Sequence, residues 1–167
     1  MSTSSESEMS NLACLIDANV NPSTGFATDY LNHFNEAIML LELLAEMPEC
    51  RDDFFAWHPR KYAEHFAASK SKHRDVAIAA YASADPASRD RLDELADYMN
   101  EVLSATRDVM RHDISSDSAI AAADIAVRRV KPMVSRVGAV INGTEAEQRE
   151  AGRNAVAQTA VDALLAR

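Results

Sequence analysis

The sequence predicts an all-α fold: an antiparallel helical bundle of about four long helices, with two short helices, about 59–69 and 73–84, closing one end. Three observations carry this. Apolar residues recur at alternating three- and four-residue steps over several long stretches. Only 4 glycines and 5 prolines occur in 167 residues, too few turn formers for a β-rich chain. The chain is 47% apolar and 26% charged, an ordinary globular balance, and at this length it buries ~70% of its unfolded surface without needing disulfides or metals.

Residues 1–10 are almost all Ser, Thr and Glu, a composition too polar to offset the entropy of ordering, so a disordered tail is expected ahead of a helical-bundle domain over 11–167. Leu12, Leu15 and Ile16 suggest one or two helical turns packed on the body, ended by Asn21 and Pro22. Leu31, Phe34, Ile38, Leu41 and Ala45 mark a helix near 28–47, with Thr28 placed to cap it and Pro48 to stop it. Pro59 is placed to open the first short helix, and Val76, Ile78 and Tyr81 lie in the second.

Asp85 followed by Pro86 is a start signal, and Leu92, Leu95, Met99, Val102, Thr106 and Val109 step 3-4-3-4-3 along a helix over 86–112. Ala96, Leu103 and Met110 form a parallel row seven apart. Ile120, Ala123, Val127, Val130, Val134, Val137 and Ile141 repeat the rhythm over 117–141, where Pro132 predicts a kink or a break. Asn142 and Gly143 stop that helix. Thr144 to Glu147 reads as a capping box for a last helix, 145–165, with Val156, Ala160, Val161, Leu164 and Leu165 on its apolar face.

Two asymmetries divide the domain. Eight of the ten aromatic residues lie between 26 and 66, giving an aromatic front lobe of about 26–84 and a back lobe of about 85–167 packed on small aliphatic side chains. Residues 1–98 hold 17 acids and 8 bases and residues 99–167 hold 9 of each, so the net charge of -9 belongs to the front. That balance weighs against general nucleic-acid binding. No apolar run approaches the ~20 residues of a membrane span. Cys14 and Cys50 have neither disulfide-framework nor metal-ligand spacing, and the first residues lack the pattern of a secretory signal, so a cytoplasmic location is expected.

Chemistry has few footholds. Residues 54–75 carry five bases, two acids and three histidines. Arg60, Lys61, His65, Lys70, His73 and Arg74 are the candidate anion-binding set, since cations near helix starts attract phosphate or carboxylate; they equally answer the acidic face of helix 28–47. Phosphorelay chemistry needs an exposed mid-helix imidazole with a lysine one turn on, and neither His33, followed by Glu36, nor His65, followed by Lys70, supplies that spacing. A carboxylate-histidine metal site would need repeated Glu-x-x-His steps, which are missing, so His33 reads as a core-edge imidazole and no cofactor or metal is expected. Nucleophile elbows, phosphate loops and zinc motifs are absent from the sequence. Arg128, Arg129, Lys131 and Arg136 read as cover for an aliphatic seam.

Phe54, Phe55 and Trp57 form an aromatic knot. Buried, it fastens the short helices to the bundle; exposed, it is a hot spot for a protein partner. Heptad seams, small packing residues and missing catalytic motifs together predict a non-enzymatic interaction or regulatory module, self-associating through helices 86–112 and 117–141. A small-anion or phosphoryl-binding domain using 58–74 is the alternative, and a metal-dependent bundle enzyme the third possibility.

Overall fold

The structure, a computed structural model, describes residues 2–112 and 115–166. Its eight helices are α1 (Ser2–Asp17), α2 (Tyr30–Leu43), α3 (Cys50–Ala56), α4 (Tyr62–Ala68), α5 (Arg74–Ser83), α6 (Pro86–Arg111), α7 (Ser116–Asn142) and α8 (Glu145–Leu165). The all-α bundle is as the periodicity predicts, and no strand is present among the described residues.

α7 is the centre, packed on one side against α6 and on the other against α2. Alanines at 119, 123 and 126 bring the helices close, and Val130, Val137 and Ile141 fill the seam beyond them. The Asp85 carboxylate accepts from the Ser88 N–H at 2.9 Å and so starts α6 before Pro86, whose missing N–H costs nothing there. Ser115 caps α7 in the same way, accepting from the Ser118 N–H at 3.2 Å. Gly143 ends α7 with φ of 74°, the left-handed conformation that lets Gly143 and Thr144 donate back to Val140 and Ala139.

In α6 the buried row is not the one that the 3-4 count picks out first. Leu92, Leu95 and Met99 are buried, but Val102 and Thr106 are half-buried and Val109 is exposed, while Ala96, Leu103 and Met110 are buried throughout. A strict 3.5-residue seam drifts by ~20° per heptad on a straight helix. Over 26 residues that drift carries the first row out of the core and the second one in.

Other elements differ from expectation for local reasons. The helix near 28–47 begins at Tyr30, with Asp29 rather than Thr28 before it and no side-chain cap. The aromatic knot at 54–57 does not lie between helices: Phe54 and Phe55 belong to α3, and Trp57 is the residue that ends it. Pro59 does not open the first short helix, because the segment from Trp57 to Lys61 is held extended by the core and α4 starts at Tyr62. Pro132 lies inside an unbroken α7. Residues 2–10, expected to be disordered, are helical, with residues 5–10 exposed. α8 forms with the expected bounds, but Thr144 makes no side-chain cap, and the apolar face expected to join the bundle is left bare.

Gly25 sits at φ of 79°, and a Cβ there would stand 3.0 Å from the Ala80 carbonyl oxygen. Gly25→Ala is expected to lower stability by about 1–2 kcal/mol, the cost of a left-handed Cβ, read as a lower urea midpoint at unchanged slope.

Candidate functional site

At the front of the bundle, side chains of α2 and α6 converge on the backbone of one residue. Tyr30 Oη donates to the Arg60 carbonyl at 2.8 Å, and Asn100 Nδ2 donates to the same oxygen at 3.2 Å. The Arg60 N–H donates to His33 Nε2 at 3.2 Å. Trp57 Nε1 donates to the His33 carbonyl at 3.0 Å, and its ring stacks on the His33 imidazole at 4.8 Å. Arg107 Nη1 ties the Trp57 carbonyl to α6 at 2.6 Å. These bonds explain the extended course of 57–61: helical geometry would turn both groups of Arg60 away from their partners.

His33 is only 4% exposed, and burial, reinforced by the nearby charges of His65 and Arg60, pulls its pKa down to about 4. Burial lowers His65 as well, with Arg60 adding to the effect. Tyr62, whose Oη accepts from the Ala27 N–H at 2.8 Å, is pushed up to about 12, chiefly by burial. Neither His33 nor the half-buried His65, whose Nδ1 has no partner among the described residues, is an exposed imidazole suited to phosphoryl transfer.

The sequence-predicted cations are placed apart. The Arg60 side chain is exposed and lines a cavity of about 350 Å³ with His33, Glu36, Asp53 and His58. Lys61 points to Asp97 at 3.6 Å. Arg74 lies 3.9 Å from Asp75 and donates to the Ser69 carbonyl. Lys70 and His73 fall in the loop between α4 and α5. The seven residues of α4 separate the two groups by ~10 Å along the chain's path, and the acids beside each group offset its charge. Among the described residues, no three His, Cys, Asp or Glu side chains gather to hold a metal.

The aromatic knot is core. Phe54 and Trp57 are buried, and the half-buried Phe55 lies beneath the guanidiniums of Arg51 and Arg111, at 5.5 and 5.9 Å. Cations above the one accessible ring, and two rings turned inward, remove the partner-binding surface expected of 54–57.

Unsatisfied apolar surface lies at the back instead. A valley of about 370 Å³ runs between α6 and α7, floored by Val102, Thr106 and Val109 on one side and Ala122 and Ile125 on the other. Ile125 is 54% exposed, and Glu101 and Arg129 stand at one end. Arg91 and Tyr98 lie eleven and four positions before Val102, on the same face of α6. Arg91 Nε bonds Glu145, the first residue of α8, at 2.6 Å. Burial works against the Glu145 carboxylate, but Arg91 and Arg149 outweigh it and hold the carboxyl below its usual range. Beyond that seat α8 stands free, with Leu164 70% and Leu165 80% exposed and Val156 and Val161 also bare.

Sequence reasoning pointed to helices 86–112 and 117–141 as the associating face but missed the bare side of α8, because the apolar residues of 145–165 look like a core stripe. The available signal was the scatter of Arg153, Asn154, Gln158 and Asp162 around the helix. No protein family, curated protein or solved structure matches the chain. No described helix is long and apolar enough to cross a membrane.

Proposed function

We propose that the chain is a protein–protein interaction module that self-associates through the back of the bundle, over helices 86–112 and 117–141. One observation carries this reading: the α6–α7 valley is left open in a chain that also carries a 21-residue helix, α8, with its apolar side chains in solvent. A helix of that length draws most of its stability from packing, and α8 packs on its own chain only near its start. An open valley and an unpacked helix on one molecule are the two halves of an interface. The arrangement at Arg60 is a structural clasp, and the dispersed cations of 60–74 add no second reading.

Light scattering coupled to size exclusion tests the proposal. The mass is expected to exceed 18.3 kDa and to rise with concentration. A constant 18.3 kDa from micromolar to millimolar chain would overturn it.

A further inference from the structure

The extended segment from Trp57 to Lys61 is held against α2 and α6 by side chains of those helices, and one of the bonds that hold it depends on a titratable acceptor. We propose that this strap is an acid-released latch: proton uptake by His33 frees the Arg60 backbone and lets Trp57 leave the face of α2, while α4 and the α6–α7 seam stay folded.

The bond itself sets the condition. His33 Nε2 accepts from the Arg60 N–H at 3.2 Å, so the closed strap needs a neutral ring with its proton on Nδ1. An imidazolium carries hydrogen on both nitrogens and has no lone pair to accept with, which sets donor against donor at Arg60. The charges facing His33 act in the same sense. Burial opposes a proton there most, and His65 of α4, its ring 5.8 Å away, and Arg60 on the strap oppose it further. Asn100 of α6 favours the proton, but only as a neutral amide. Glu36 of α2 and Asp53 of α3 line the same cavity, beside His58 and Arg60. Arg107 of α6, bonded to the Trp57 carbonyl and 3.2 Å from His58 Nδ1, is a further cation at the strap. His65 is opposed in turn by burial and by Arg60, against a smaller pull from Asp29. Lifting the strap wets the His33 ring and removes Arg60 from it, so the open form takes up the proton more readily than the closed one.

The neighbouring elements have separate anchors. Burial, aided by Asp93 and Asp97, keeps the Tyr30 hydroxyl protonated well above neutral pH, so its bond to the Arg60 carbonyl does not titrate in acid. α4 is held through Tyr62, which accepts from the Ala27 N–H at 2.8 Å, and α3 through the buried Cys50 and Phe54. Between these anchors His58, Pro59, Arg60 and Lys61 are exposed, so opening uncovers only Trp57 and the His33 ring stacked on it. His33 and Asn100 are the buried polar residues among those described, and both sit at the clasp. The seam of α7 buries apolar side chains with no proton to gain, which confines the response to the strap.

Hydrogen exchange followed by NMR on the full-length chain tests the latch, from pH 7.5 to 4 and corrected for the intrinsic pH dependence of exchange. The Arg60 amide and the indole N–H of Trp57, the sole tryptophan, report the strap. Their ratio of open to closed form is expected to rise about tenfold for each pH unit between 6.5 and 4. The Ala27 amide, bonded to Tyr62, and the amides of α7 are expected to stay far more protected throughout. His33→Gln keeps an acceptor without a titrating group, and should abolish the rise. Tyr30→Phe removes a different bond to Arg60, and should raise the ratio about fivefold at every pH without changing its slope. The Tyr30→Phe and wild-type slopes decide the matter should His33→Gln not fold. A ratio that stays flat with pH, or a rise that persists in His33→Gln, would overturn the latch. Equal exchange of the Arg60 and Ala27 amides at every pH would show the front opening as one unit, and would overturn it too.

Discussion

Replacing Tyr62 by alanine is expected to remove most of the chain's stability. Tyr62 is fully buried, and its ring meets Tyr81 at 4.6 Å, Phe66 at 4.7 Å and Tyr30 at 5.1 Å. Deleting a buried aromatic ring costs about 3–5 kcal/mol. The Ala27 N–H, which donates to Tyr62 Oη and lies in the core, would lose its partner at a further cost of about 1–3 kcal/mol. Against a total of about 5–15 kcal/mol for a protein of this kind, the variant is expected to be largely unfolded in mild urea. Tyr62→Phe keeps the ring and removes only the acceptor, so it isolates the smaller loss of about 1–3 kcal/mol. Urea unfolding followed by circular dichroism gives both numbers. Equal losses for the two variants would show that packing around the ring contributes little.

Acidification is expected to destabilise the front of the bundle through His33. Its folded pKa of about 4 lies below its ordinary value of 6.5, so between those two pH values the unfolded chain binds the proton and the folded chain does not. Stability is therefore complete above pH 6.5, declines as the pH falls from 6.5 to 4, and changes no further on this account below 4. The loss amounts to about 3 kcal/mol. His65, lowered in the same direction, adds to it. His33→Gln offers an amide oxygen to the Arg60 N–H but does not titrate, and it is expected to flatten most of the slope. Urea midpoints from pH 7.5 to 4 for wild type and variant measure this; parallel curves would show that the slope arises elsewhere.

Much of the backbone was legible before the fold. The signal Asp85–Pro86 and the stop at Gly143 act within a few residues of themselves, and α6, α7 and α8 begin and end within about a residue of where such signals put them. Pro59 shows the limit of local logic. It is acceptable at a helix start, yet Tyr30, His33 and Asn100 outbid that preference by engaging the Arg60 backbone from two distant helices. The row beginning at Leu92 shows another limit: a count of three and four identifies a seam, but not where a straight helix rotates that seam out of its contact. The candidate site was legible least. Four cations and two histidines close in sequence read as one cluster, and α4 divides them; an aromatic run that the sequence left open to burial or exposure is core; and the bare arm carries the same aliphatic pattern as a buried seam.

What the amino-acid sequence determined by itself is the all-α class, the limits of the three longest helices and the acidic front, because periodicity, capping and charge are properties of neighbouring residues. Which faces the bundle covers was decided only in three dimensions. Burial depends on the direction in which each helix leaves its turn, and for α8 that direction is set by Gly143, Thr24 and Arg91 acting together from three parts of the chain.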